Sequence, residues 1–175
     1  MEIAKRVCNE MLLQRKWAIE QSSIIDDNNN VIDILLGDTL EGNSYVVFFL
    51  DSAKLNIGNI KDCIKYLQQN STKHCIIVYN NNITSSAKKV ITNFVDTVFE
   101  LFAVNDLQTN ITKHYYVPKH TMLDSDEEVK FKKLMGTDIP VLLKSDKVCR
   151  FYNFPRGAII MVNRLDGSVG YRIVK

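Results

Sequence analysis

Hydrophobic positions near the start of the chain recur at helical spacing. Residues three and four apart share one face of an α-helix, so this spacing predicts an amphipathic helix that extends to about Trp17. The predicted buried stripe consists of Ile3, Val7 and Met11, with Leu12 and Arg15 beside them. The polar run over residues 21–30 then breaks the periodicity and predicts a loop.

Continuous apolar runs at residues 31–36, 45–50 and 75–79 predict strands. The second run is rich in β-branched and aromatic residues, which is typical of a central strand buried on both faces. Between the second and third runs, Ile60, Cys63, Ile64 and Leu67 recur at helical spacing. Strand, helix and strand in this order indicate a crossover unit, and such a unit permits parallel strands.

Another helix is predicted after residue 84, with Thr84 as its N-cap. Its predicted buried stripe is long and consists of Ala87, Val90, Ile91, Phe94, Val98, Leu101 and Phe102. The pattern lapses around residues 105–110, and the three prolines of the chain all follow. We therefore expect two domains, residues 1–107 and residues 108–175.

The second part of the chain mixes strand and helix signals. Residues 115–117 are strand-like, Ser125 and Glu128 have the spacing of a capping box, and Gly136 can end the helix that they open. Residues 158–162 and 170–174 predict a hairpin around a tight turn. The expected fold class is α+β, with an α/β-like N-terminal domain whose small central sheet is flanked by helices and a small mixed α+β C-terminal domain.

Composition narrows the possible functions. The 175 residues are 46% hydrophobic and 24% charged, which is typical of a globular chain. The net charge of +2 is too mild for a protein that binds nucleic acid by charge alone, so any such contact must be local. The cysteines are scattered without a C-x-x-C pair, and no long apolar segment occurs. We expect an intracellular protein that neither spans nor binds a membrane.

An ordered series of motifs begins at residue 114. The run His114 to His120 resembles the "H-x-x-V-P-x-H" opening shared by the C-terminal domain of the eukaryotic fifth-largest RNA polymerase subunit and its shorter archaeal counterpart. The steps that follow in that family match segments at residues 125–129, 139–142, 145–148, 154–164 and 171–174. Upstream, residues 75–79, 83–88 and 110–114 resemble the N-terminal or jaw domain of the eukaryotic subunit.

The sequence also departs from the family pattern. An Asp-Pro pair of the family is Asp146-Lys147 here, the first glycine of a glycine-spaced step is replaced near Tyr152, and a linker and a hairpin loop look shortened. These departures indicate a divergent member. Together with the abundance of Asn and Ile and the short chain, they suggest a version encoded by a large DNA virus.

The resemblance implies a non-catalytic subunit of a DNA-dependent RNA polymerase without a cofactor of its own. Its C-terminal domain is expected to dock on the largest subunit, and its N-terminal domain to form part of the lower jaw near downstream duplex DNA. Candidate interface residues are His114, Pro118, His120, Pro140, Arg156, Gly157, Tyr171 and Arg172. The expected location is the nucleus for a cellular protein, and a cytoplasmic factory or virion for a viral one.

One helix start is suited to DNA phosphates. Hydroxyls and free backbone N–H groups at a helix N-terminus bind anions, and lysines one turn later add positive charge. The candidate DNA-contact residues are Thr84, Ser85, Ser86, Lys88 and Lys89. The alternative interpretation is an ordinary N-cap followed by a solvated helix face.

Competing functions remain open at this point. His114 and His120 could suggest a metal pair, but Pro118 favours an extended chain between them, and no third ligand lies nearby. Asp33, Asp51 and Lys54 loosely resemble a metal-dependent nuclease site with the wrong spacing. A free-standing transcription adaptor of the same fold is the other alternative.

Overall fold

The structure, a computed structural model, describes residues 1–25, 31–80, 82–136 and 138–175. The chain forms two compact units, Met1–Thr109 and Asn110–Lys175. None of the helices within these described ranges is long and apolar enough to cross a membrane.

The first unit combines α-helices with a mixed sheet. Its elements are α1 (Glu2–Gln14), β1 (Glu20–Ile25), β2 (Val31–Asp38), β3 (Ser44–Leu50), β4 (Lys54–Leu55), α2 (Ile57–Gln69), β5 (His74–Tyr79), β6 (Asn82–Ile83), α3 (Ser85–Asn93) and β7 (Val98–Ala103). A 3-10 helix, Val104–Leu107, follows β7. The main sheet has the strand order β1-β2-β3-β5-β7.

The predicted crossover is confirmed. β3 and β5 are parallel, β5 and β7 are parallel, and α2 and α3 are the helices of the two crossovers. Every residue from Tyr45 to Leu50 is buried, as expected of a central strand. On the other side of the sheet, β1 pairs antiparallel with β2, and β2 pairs antiparallel with β3.

Helices cover both faces of this sheet. The core on one face joins Phe48 and Ile77 to Ile60 of α2 and Ala87 of α3. Because side chains alternate along a strand, Asp33 and Glu100 point to the opposite face. Lys5 at the start of α1 and Arg15 at its end bind these two carboxylates, so α1 lies on that face.

The beginning of the chain differs from the prediction in two respects. The helix ends at Gln14 instead of Trp17, because Lys16 has a positive φ and the Trp17 N–H donates to the Leu12 carbonyl. Ile3 is 47% exposed and does not belong to the buried stripe.

The predicted loop at residues 21–30 is also wrong for its first half. Residues 21–25 belong to β1, which pairs with β2 along its whole length. β1 is an edge strand whose polar side chains are mostly exposed, so its composition resembles that of a loop. Residues 26–30 lie outside the described residues.

The long helix predicted after Thr84 is wrong beyond Asn93. Phe94 is extended, and Val98–Ala103 forms β7, which pairs with β5. Leu101 and Phe102 pack on opposite faces of the sheet. Val98, Leu101 and Phe102 nevertheless have the i, i+3, i+4 spacing of a helical stripe. This coincidence of spacing explains the error.

A buried ion pair joins α1 to the sheet. The Arg15 guanidinium donates to both Glu100 carboxylate oxygens, at 2.7 and 2.8 Å, and His74 Nε2 lies 2.6 Å from Glu100 Oε1. The guanidinium also lies over the Trp17 ring, 5.0 Å from its centroid. Burial alone would raise the pKa of Glu100, but Arg15 and His74 lower that pKa to about 2.

The second unit contains a smaller mixed sheet. A 3-10 helix, Ile111–Lys113, is followed by β8 (Lys119–Met122), α4 (Ser125–Met135), β9 (Val141–Leu142), α5 (Lys147–Tyr152), β10 (Ile159–Asn163) and β11 (Val169–Val174). The strand order is β8-β10-β11-β9. The predicted hairpin is confirmed as β10 and β11, which are antiparallel.

Residues of α5 and α4 pack on opposite faces of this sheet. Cys149 of α5 belongs to the core with Ile160 and Val174. On the other face the Phe131 ring of α4 lies 4.4 Å from the Tyr171 ring. With its mixed sheets and helices, the chain has the predicted α+β fold class.

Two local predictions in this unit are wrong. Residues 115–117 form a turn instead of a strand, because the Tyr116 and Val117 N–H groups bind His114 and are not available to a strand partner. The capping box lies one residue earlier than predicted, with Asp124 as N-cap and Glu127 at N3. The Asp124 carboxylate accepts the Glu127 N–H, the role that was expected of the Ser125 hydroxyl. Ser125 is instead the first residue of the helix.

We predict that Glu100→Gln destabilises the chain by about 3 kcal/mol at pH 7, because it removes the carboxylate charge that pairs with the buried Arg15 guanidinium. A depressed pKa contributes stability above the unfolded-state value, here 4.5, and the contribution is lost as pH falls toward 2. The difference between wild type and variant should therefore shrink below pH 4.5. Denaturant unfolding followed by the fluorescence of Trp17, the single tryptophan, measures it.

The exposed Glu20→Gln provides the control and should change stability little at any pH in this range. A Glu100→Gln effect that stays constant from pH 7 to pH 2.5 would contradict the proposed role of the carboxylate charge.

Candidate functional site

Two helix N-termini lie side by side at one edge of the first unit. β4 and β6 pair in parallel, with Lys54 opposite Asn82 and Leu55 opposite Ile83. α2 and α3 begin directly after these strands, and the Thr84 N–H donates to the Leu55 carbonyl at 3.0 Å. We call this edge the paired helix starts.

Side chains cap both helices. Asn56 and Asn59 form a reciprocal capping box at the start of α2, at 3.1 and 3.2 Å. At the start of α3, Thr84 Oγ1 accepts the Ala87 N–H at 3.1 Å. The first N–H groups of a helix have no acceptor within the helix itself, and the helix dipole makes its N-terminus positive. The paired helix starts therefore form a local region suited to an anion.

The structure brings the predicted DNA-contact residues together at this edge. Ser85, Ser86, Lys88 and Lys89 are exposed, whereas the Thr84 hydroxyl is engaged as the N-cap of α3. Thr84 therefore acts as a helix cap in this structure.

Sequence reasoning missed Lys54 as a candidate for the same surface. Lys54 is exposed on β4, next to the start of α3. Loops that follow neighbouring parallel strands meet at one sheet edge, and this rule could have identified it.

The candidate interface residues are spread over the second unit. In β10, Val162 lies opposite His120, and Ile160 lies opposite Arg172. Ile160 and Val162 belong to the core on the same face of the sheet, so His120 and Arg172 share that face. Tyr171 points to the other face, where it packs on Phe131. The structure therefore does not bring the predicted set together as one patch.

Several of these residues also have structural roles. His120 Nδ1 lies 2.8 Å from the Pro118 carbonyl oxygen, and the Pro140 carbonyl accepts the Ile173 N–H at 2.9 Å. Arg172 Nη1 donates to the Val141 carbonyl at 3.2 Å. These contacts fix the edges of the sheet.

Arg156 and Gly157 form an exposed turn between α5 and β10. Gly157 has φ +85°, a conformation that a side chain disfavours. This turn lines one side of an open groove of about 520 Å³, and Asp124, Ser125 and Glu128 line the other. The groove is thus lined by the Arg156 guanidinium, by the Asp124 carboxylate that caps α4, and by Glu128, which pairs with Lys132.

The residues of the nuclease alternative are engaged otherwise. Asp33 accepts a 2.6 Å salt bridge from Lys5, and Asp51, which follows the end of β3, accepts from Asn80 at 2.7 Å. Both aspartates line an open groove of about 500 Å³. Among the described residues, no group of three His, Cys, Asp or Glu side chains could hold a metal ion.

The thiols are buried. Burial raises the pKa of Cys8 to about 12, and it raises the pKa of Cys63 and Cys75 as well. Thiols with such high pKa values are not ionised near neutral pH, so these cysteines act as core residues.

Comparison with known proteins identifies relatives of this chain. The family model for "RNA polymerase Rpb5, C-terminal domain" matches residues 109–174. A DNA-directed RNA polymerases I, II, and III subunit rpabc1 from Dictyostelium discoideum is 30% identical over 133 residues, which cover 73% of this chain and 68% of that protein. The RPABC1 subunit from Caenorhabditis elegans is 30% identical over 136 residues, which cover 73% and 64%. The chain thus spans about two thirds of the length of these relatives.

Likeness to solved structures is weaker. The match to a protein of unknown function, AF1548, covers 58% of this chain and 58% of that protein, with a TM-score of 0.42 and 10% identity. The match to EndoMS in apo form covers 55% of this chain and 44% of that protein, with a TM-score of 0.38 and 17% identity. Likeness at this level supports no inference about function.

We predict that Thr84→Ala frays the start of α3 at a cost of about 1 kcal/mol, because it removes the acceptor for the Ala87 N–H. Thr84→Ser should keep the cap. Amide hydrogen exchange at Ala87 and Lys88 measures the effect, with Ser86→Ala as a control that leaves the cap intact. Equal protection in Thr84→Ala and Thr84→Ser would contradict this role.

Proposed function

Because the chain belongs to the Rpb5 family of RNA polymerase subunits, we propose that it is a non-catalytic subunit of a multisubunit DNA-dependent RNA polymerase. The observation that carries this proposal is the match of the family model to residues 109–174, which is almost the whole second compact unit. The relatives named as polymerase subunits extend the match to 73% of the chain.

We assign assembly to the second unit and the largest polymerase subunit as its main partner. The exposed Arg156 turn and the adjoining groove support this assignment, since Arg residues are enriched at interfaces and pair with carboxylates. The candidate interface residues occupy both faces and the edges of a small sheet. A domain of this kind suits a partner that contacts it from more than one side.

Catalysis is assigned to the other subunits. Asp33 is neutralised by Lys5, Asp51 is hydrogen-bonded to Asn80, and the cysteines described above are buried with raised pKa values. These groups are better explained as structural residues than as nucleophiles or metal ligands.

The first unit is proposed to form part of the lower jaw near downstream DNA. The paired helix starts, with Lys54, Lys88 and Lys89, support a contact with the phosphate backbone. With a chain net charge of only +2, this contact would be weak and independent of base sequence.

We place the protein inside the cell, in the nucleus if its gene is cellular and in a cytoplasmic factory or virion if viral.

We predict that Arg156→Glu lowers the amount of polymerase recovered with the tagged chain by at least about 5-fold, because a charged side chain of the wrong sign would meet the partner. Thermal unfolding should be unchanged, since Arg156 is exposed. Lys130→Glu on the exposed side of α4 is the matched charge reversal and should recover as much polymerase as wild type. Equal recovery with both variants would contradict the assignment of this turn to the interface.

We predict that Lys88→Glu/Lys89→Glu weakens DNA binding by the assembled polymerase, and that the loss is largest at low salt. The slope of log affinity against log salt concentration should become shallower by up to about 2, since each phosphate contact contributes about 0.9. Competition of the elongation complex with free DNA over a salt series measures the slope, with Lys130→Glu/Lys133→Glu as control. An unchanged slope in an intact complex would contradict the proposed DNA contact. It would not contradict the assembly proposal.

A further inference from the structure

A tight turn immediately precedes β8 in the second unit. The Val117 N–H donates to the His114 carbonyl at 2.9 Å, and the Tyr116 N–H donates to His114 Nδ1 at 3.3 Å. The 3-10 helix before it is capped by Asn110, and Pro118 restricts the backbone after it. The backbone of the turn is thus fixed by groups of its own chain.

Two aromatic side chains project from this turn into solvent. Tyr115 is 72% exposed and Tyr116 is 79% exposed. Their ring centroids lie 5.2 Å apart with the ring planes at 78°, and the His114 ring lies 5.9 Å from Tyr116. Rigid, exposed tyrosines lose little entropy on binding and are enriched at protein interfaces. The fold itself does not need large aromatic residues at these exposed positions.

The charge around the turn has one sign. Between Leu107 and Leu123 the sequence contains Lys113 and Lys119 but no aspartate or glutamate. Both lysines are exposed. Lys119 also lies opposite Asn163 of β10, whose neighbour Arg164 is exposed. An acidic partner would therefore complement this surface.

We propose that the aromatic turn, residues 113–119, docks an acidic segment of a neighbouring polymerase subunit, in which carboxylates flank an apolar or aromatic side chain. This inference rests on the proposed function, because it takes the neighbour to be part of the polymerase. The tyrosine rings cover the apolar side chain, Lys119 pairs with a carboxylate, and Lys113 adds positive charge nearby. Tyrosines are enriched at protein interfaces, and the net charge of only +2 gives the chain little attraction for nucleic acid, which favours a protein partner.

A photo-crosslinking experiment tests the partner. The change Tyr115→p-benzoylphenylalanine is introduced into the tagged full chain, the polymerase is purified with it and irradiated, and crosslinked peptides are identified by mass spectrometry. The expected product is a peptide of another polymerase subunit in which Asp and Glu outnumber Lys and Arg. Crosslinks to nucleic acid or to a basic segment, or no protein crosslink in an assembled complex, would overturn the proposal.

Recovery of the polymerase by the wild-type tagged chain is measured first. If that chain recovers no polymerase, the proposed function itself fails, and the docking proposal fails with it. If the wild-type chain does recover the polymerase, the crosslink result tests the aromatic turn alone.

A pair of variants measures the contribution of the turn. Tyr115→Ser/Tyr116→Ser should lower the polymerase retained in a high-salt wash about 10-fold or more. Leu134→Ser, which removes an 83% exposed apolar side chain from α4, should retain as much as wild type. Lys119→Glu should lose retention while Lys130→Glu does not. Equal retention by the tyrosine variant and the Leu134→Ser control would overturn the docking role.

Discussion

The ion pair between Arg15 and Glu100 is the constraint on which the first unit depends. Two charged groups can be buried in this position only because the carboxylate receives both guanidinium nitrogens and the His74 ring as well. The pair joins the end of α1 to β7, and Glu100 reaches β5 through His74. One face of the parallel strands is thereby closed by α1, while α2 and α3 close the other.

This layering determines the structure at one edge of the sheet. Because β3, β5 and β7 are parallel and their crossover helices are on one face, the segments that follow β3 and β5 meet and pair as β4 and β6. The starts of α2 and α3 are adjacent for that reason, and lysines beside them make the region positive. A protein with little net charge can in this way offer a local site for a phosphate.

The elements with clear apolar runs are predictable from the sequence, and those that depend on distant contacts are not. The central strand at Tyr45–Leu50 and the hairpin of β10 and β11 have unambiguous patterns, and the structure contains both. β1 was missed because an edge strand needs few apolar residues. The sequence pattern predicts helix for β7 because Leu101 and Phe102 pack on opposite faces, and only the sheet distinguishes that arrangement from a helical stripe.

The candidate site shows the same limit. The cap role of Thr84 follows from its residue type and position, whereas the neighbourhood of Lys54 depends on the pairing of Lys54 with Asn82, which lies 28 residues further along the chain. Membership of the Rpb5 family is shown by 30% identity to a polymerase subunit over 133 residues, and the family model matches the second unit, to which we assign assembly. The most direct test of this account is a mass-spectrometric inventory of proteins that co-purify with the tagged full chain. We predict recovery of the polymerase with its largest subunit in comparable amount to the tagged chain, and recovery of a transcription regulator without the polymerase core would contradict the account.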